Sequence, residues 1–209
     1  MEILYLMICN WTISRRKAKL QRIANQIGCE FYMNSKGSYF EKWITSFPTL
    51  NEPFGVKKIT NIMQGRYLTF KLLFFDYSFR HREPVGIIRK FTAAIVENKT
   101  NSLPYFQLWP KKHVAWNPTA MTRKQLQNER FNYLSDEYIL LGDKKEDIKN
   151  IFNDTIMKEF RRYNGWSIEG HGSLLMIYRE DEIVRTEGLM KFFYNIVEIN
   201  NLFMGNHSA

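Results

Sequence analysis

The run YLTFKLLFFDYSF, Tyr67 to Phe79, limits the folds open to this chain more than any other stretch. It holds no Gly or Pro and is dominated by aromatics and leucines, residues that suit the pleated, packed surface of a strand. The loop RHREPVG separates it from a second apolar run, IIRKFTAAIVE, Ile87 to Glu97. Two such runs around a loop with Gly and Pro predict a β-hairpin.

Other strands and helices can be placed around that hairpin. Leu20, Ile23, Ala24 and Ile27 recur at i, i+3, i+4, i+7, which predicts an amphipathic helix that Ser14 can cap and Gly28 ends. Cys29 to Met33 reads as a short strand, and Tyr39 to Phe47 as a second helical stretch. Pro53 and Gly55 mark Asn51 to Lys58 as a loop. Ile59 to Met63 is expected as a strand with a turn at Gln64–Gly65. Tyr105 to Trp109 and Phe131 to Leu141 are further strands, with a long loop over 111–129 between them. Asp143 with Glu146 makes a capping-box pattern for one helix carrying Ile148, Ile151, Phe152, Thr155, Ile156, Phe160 and Tyr163. Gly165 stops it, and a second hairpin follows across GHGS, joining Trp166–Glu169 to Leu174–Arg179. Thr186 is expected to cap a last helix bearing Leu189, Phe192, Phe193, Ile196, Val197 and Phe203. The fold class is therefore α+β: an antiparallel sheet of hairpins packed against two or three helices.

Bulk properties bound the rest. A chain of 209 residues, 44% hydrophobic and 15% aromatic, suits one packed domain over residues 1–209. There is no internal repeat. The net charge of +9 favours anionic partners, lipid or nucleic acid, or simply a solvated basic surface. Cys9 and Cys29 are too few for a disulfide framework or a zinc site, which points to a reducing, cytoplasmic setting.

The amino terminus has its own pattern. Residues 1–13 form an apolar segment ahead of a globular part over 14–209, and Arg15, Arg16, Lys17, Lys19 and Arg22 follow it. Charges after the apolar run reverse the order of an export signal. Eleven helical residues rise about 16 Å, short of the ~30 Å hydrocarbon core of a bilayer. A buried strand and a headgroup-level contact both remain open, the second with the five basic residues held to anionic lipid.

Few residues suggest chemistry. Asp76 shares a strand face with Phe70, Leu72 and Phe74, so it needs a partner. If Phe79 pairs with Ile87, Lys90 lies opposite it and a cross-strand ion pair accounts for it. Glu169 and His171 share a face two residues apart, and the plain reading of them is a polar hairpin end. His81, His113 and His207 stand alone, and two ligands do not make a metal site. The chain has no GxxxxGK[ST], HExxH, GxSxG or CxxC, and no RNP-like strand, so specific nucleic-acid recognition is not expected. No cofactor is implied.

Taken in order, FDYSF, LPYFQLWP, YILLGD and GWSIEGHGSLLMIYR resemble a family of bacterial proteins of no known activity. Its motifs are FDY-x-Y, LPxFxLxPE and GWxVExxGxxLLxYR, often behind a membrane anchor. Phe75, Asp76 and Tyr77 take the FDY positions; Pro104 and Phe106 keep the second motif, while Lys111 replaces its Glu. Gly165, Trp166, Glu169 and Tyr178 match the third. The resemblance implies structural roles for these positions and supplies no catalytic residue.

Two functions follow as expectations. The first is a non-enzymatic interaction or accessory domain, cytoplasmic or peripheral to the inner membrane face, with anionic lipid or another protein as partner. The second is an enzyme of unrecognised type using Asp76 with Glu169 or His171, which requires those groups to meet in one pocket.

Overall fold

The computed structural model describes residues 16–34, 41–51, 55–81, 88–99, 102–112, 137–142 and 145–204. The apolar segment 1–13, Ser14, Arg15, Asp143 and nearly all of the expected loop over 111–129 lie outside these residues, as does the first part of the strand expected from Phe131.

Eight strands form one sheet in the order β1-β2-β3-β4-β8-β7-β5-β6, and every neighbouring pair is antiparallel. They are β1 (Cys29–Asn34), β2 (Gly55–Tyr67), β3 (Phe70–His81), β4 (Ile88–Glu97), β5 (Leu103–Pro110), β6 (Tyr138–Gly142), β7 (Ser167–Gly172) and β8 (Leu174–Tyr178). Among the described residues, the helices are α1 (residues 16–26), the single turn α2 (Glu41–Ile44), α3 (Lys145–Ile151), α4 (Asp154–Phe160) and α5 (Leu189–Met204). The architecture is the expected α+β class.

Alternation along the strands loads both faces. Phe70, Leu72 and Phe74 of β3 point to the side covered by α1, α3, α4 and α5. Leu73, Phe75, Tyr77 and Phe79 point to the other, where Phe47 and Leu50 pack, with Trp43 and Ile44 of α2 beside them. Helix α1 seats Leu20 and Ala24 in the first core, with Ile23 and Ile27 at its margin, as their spacing predicts. Gly28 takes φ +69 and ends it.

Five local expectations are corrected. The strand β2 runs straight through Gln64–Gly65, and the turn falls at Leu68–Thr69. Gly65 permits close strand approach: a Cβ there would lie 2.6 Å from the Cys29 sulfur and 2.8 Å from the Gly28 carbonyl oxygen. Residues 55–58, expected in a loop, are the first turn-free stretch of that same strand. The long helix after Gly142 is two helices, because the Asn153 side chain accepts from the Ile156 N–H at 3.0 Å and starts α4 afresh. Thr155 is consequently exposed, while Ile148, Ile151, Phe152, Ile156 and Phe160 are buried. Thr186 does not cap α5; it opens a 3-10 turn, and its hydroxyl donates to Glu187. The second helical stretch shrinks to one turn, Glu41–Ile44, followed by a 3-10 turn at Pro48–Leu50.

Gly65→Ala should lower unfolding free energy by about 1–3 kcal/mol, because backbone atoms of Gly28 and Cys29 block the added methyl. Urea titration measures it. An unchanged midpoint would show that the β1–β2 pair can open at no cost.

Candidate functional site

The two acids singled out in the sequence occupy opposite faces of the sheet. Asp76 lies on the helical face with Phe74, whereas Glu169 lies on the other with Gln107 and Tyr178. A packed sheet stands between them.

Asp76 sits at a junction built by an irregularity in β2. Between Thr60 and Met63 the β2–β3 register shifts, and Asn61 adopts φ +53, a left-handed conformation that asparagine tolerates. That bulge turns the Asn61 amide to donate to Asp76 Oδ2 at 2.8 Å. Arg16 Nη2, on α1, reaches the same oxygen at 3.0 Å. The Thr92 hydroxyl donates to Oδ1 at 2.6 Å and accepts from the Val184 N–H at 2.9 Å. Arg16 also donates to the Val184 carbonyl at 3.1 Å. One carboxylate thus joins α1, β2, β4 and the segment before α5. Phe79 pairs with Arg89 and Asp76 with Thr92, two residues away from the register that would have set Lys90 opposite the acid. The expected Asp76–Lys90 pair is therefore replaced by Asp76–Arg16, a contact reaching across 60 residues that local spacing does not reveal.

Glu169 corrects a second expectation. It is not part of a polar hairpin end; its side chain is wholly buried, at 0% exposure. Thr49 and Tyr178 hydroxyls donate to Oε1, the latter at 3.0 Å, and Gln107 Nε2 donates to Oε2 at 2.9 Å. Burial raises the Glu169 pKa above the ordinary carboxylate value, opposed by those three donors and by the positive charge of Arg89. Burial, with the Glu169 carboxylate beside it, also holds the Tyr178 phenol well above its usual range, so it stays a donor. Arg89 is 4% exposed and grips Glu180 through two bonds, of 2.7 and 2.8 Å. His171, two residues on, is exposed at the end of β7 and stacks edge-on against Tyr105 with ring centres 6.0 Å apart.

These arrangements hold structure together and offer no acid–base pair. A general acid or base must reach its substrate, and Glu169 has no solvent access. The enzyme reading required Asp76 to converge with Glu169 or His171; the sheet separates Asp76 from both. Clefts among the described residues open elsewhere. One of about 460 Å³ is lined by Trp43, Gln64 and Lys71, and one of about 660 Å³ by Arg162, Trp166, Arg179, Lys191 and Glu198. Neither is lined by Asp76, Glu169 or His171. Arg162 and Arg179 in the second are already paired with Glu159 and Glu182. Among the described residues, no three His, Cys, Asp or Glu gather as metal ligands.

The other motif residues are interior parts. Phe75, Tyr77, Phe106 and Tyr178 are buried core, and Pro104 is half-buried in β5. Gly165 turns the chain at φ +85, and Trp166 stacks on Phe192 with Arg179 over its ring. Thr49 and Gln107 were missed in the sequence. Gln107 carried a signal, as a lone amide amid the apolar side chains of LPYFQLWP; Thr49 carried none.

The basic cluster divides in two. Arg16 is spent on Asp76, and Lys19 pairs with Glu187 at 2.7 Å in an exposed contact. Lys17 and Arg22 are exposed on α1. Among the described residues no helix is long and apolar enough to cross a membrane.

Two predictions test the acids. Asp76→Ala should cost about 2–4 kcal/mol in a denaturant titration, because it strands the Arg16, Asn61 and Thr92 donors. Glu169 has a raised folded-state pKa, so its contribution is full below the unfolded value of 4.5 and is lost as pH rises through the folded one. Wild-type stability should therefore fall with pH from about 4.5 up to the folded value more steeply than that of Glu169→Gln, and level off beyond it. Equal slopes in thermal melts across pH 4–8 would refute the assignment.

No protein-family model matches this chain, and no curated protein matches it. Among solved structures it is similar to the mycobacterial trehalose monomycolate transport factor A, TtfA, with a TM-score of 0.56 over 89% of this chain and 93% of that one. Identity is 10%, so what the two chains share is the fold.

Proposed function

We propose that this chain is a non-enzymatic accessory domain that works by contact, at an anionic membrane surface. One observation carries the reading: the two acids that could have formed a reaction centre are placed on opposite faces of the sheet, and each is saturated by structural partners. The likeness in fold to a protein described as a transport factor supports an accessory role. The exposed Lys17 and Arg22 of α1 and the formal net charge of +9 support an anionic partner.

Vesicle co-sedimentation tests the proposal. The full chain should pellet with vesicles containing about 30% anionic lipid and stay in solution with neutral ones, with binding that weakens as salt rises. Lys17→Glu with Arg22→Glu should weaken it roughly tenfold or more, at about 1 kcal/mol for each cation near the surface. Arg16 is left intact in this design because it supports the fold. Equal pelleting with neutral and anionic vesicles would sink the electrostatic contact.

A further inference from the structure

The end of the sheet nearest the Asp76 junction carries a surface that the interior does not explain. Register sets the residues in rows. Thr60, Asp76 and Thr92 make one row across β2, β3 and β4, on the helical face. The next row outward on that face is Lys58, Ser78 and Lys90, and the one beyond is Val56, Arg80 and Ile88. Among the described residues, the helices reach this face only as far as the Asp76 row, where Arg16 of α1 bonds the acid.

Both outer rows face water. Lys58, Arg80 and Lys90 are exposed, Ser78 is half-buried, and Val56 and Ile88 are 59% and 48% exposed. The six positions hold three cations and no carboxylate. No ion pair to any of the three cations occurs among the described residues. The aliphatic residues lie in one row with Arg80 between them, so apolar and cationic groups share a single plane. Arg16 of α1 bonds Asp76 one row away, which puts the neighbouring exposed Lys17 at the same end of the sheet.

We propose that this end of β2–β3–β4 is a second membrane contact, in which Lys58, Arg80 and Lys90 meet anionic headgroups while Val56 and Ile88 enter the headgroup–acyl boundary. It rests on the membrane reading above and assigns that reading a site. Charge complementarity selects an anionic surface, and the two exposed aliphatics select lipid over nucleic acid. A single-stranded nucleic acid is held by aromatic stacking platforms, and these two rows hold no aromatic. An interfacial lipid contact pairs cations with apolar side chains in this manner.

Co-sedimentation of the full chain with vesicles of 30% phosphatidylserine in phosphatidylcholine tests it, on three variants whose melting curves are first matched to wild type. K58Q/R80Q/K90Q should weaken partitioning about 100-fold, since each cation near such a surface contributes roughly fivefold. Val56→Ser with Ile88→Ser should weaken it severalfold and leave the salt dependence unchanged. K17E/R22E reports on helix α1 alone. If the triple variant binds as wild type does while K17E/R22E loses affinity, the sheet-end site is overturned and the accessory membrane role stands. If wild type ignores anionic vesicles altogether, both fall. If the triple variant loses affinity only for single-stranded DNA or RNA and keeps its vesicle binding, the surface belongs to nucleic acid and the proposal is wrong.

Discussion

An antiparallel sheet packed on both faces imposes the main constraint on this molecule. Such sheets commonly leave one face to water, which lets polar side chains alternate outward at no cost. Here the helices take one face, and the segment around Phe47 and Leu50 takes part of the other. Any polar side chain in the middle strands must then find its partners inside the protein, or forfeit several kcal/mol. Asp76, Glu169 and Arg89 are each resolved in that way, with three different partner sets.

Those partner sets explain how distant segments stay in place. The Asp76 carboxylate binds Arg16 of α1, the bulge of β2 and the hydroxyl of β4, and through Thr92 it reaches Val184. Glu169 ties the 3-10 turn at Thr49 to the centre of the sheet. Arg89 clamps the chain just after β8 through Glu180. Breaking any of these would leave a buried charge or donor unpaired, which costs more than the intact pair contributes. Their chemistry is thus consumed by the fold.

Much of the framework was legible in the sequence. The period-two run from Phe70 to Phe79 and the spacing of Leu20, Ala24 and Ile27 gave the faces correctly because periodicity is a local property. The β7–β8 hairpin and the apolar side of α5 were equally readable. Gly65 misled because a glycine marks close approach as well as a turn, and only the neighbouring strand decides which. Asn153 looked like an interior position of a helix until its side chain proved to cap the next one. The partners of Asp76 and Glu169 lay beyond reach, since Arg16 and Thr49 are brought to them by tertiary folding alone. The loop length between β3 and β4 left the register open by two residues, which was enough to point Asp76 at the wrong partner.

The carboxylates at positions 76 and 169 are separate structural anchors with no partner in common. A double-mutant cycle on unfolding free energy, using Asp76→Asn and Glu169→Gln, tests this directly. Independent sites without common partners should give additive effects within about 0.5 kcal/mol. A coupling energy above about 1 kcal/mol would mean that the two acids sense each other through the sheet, and would contradict the account.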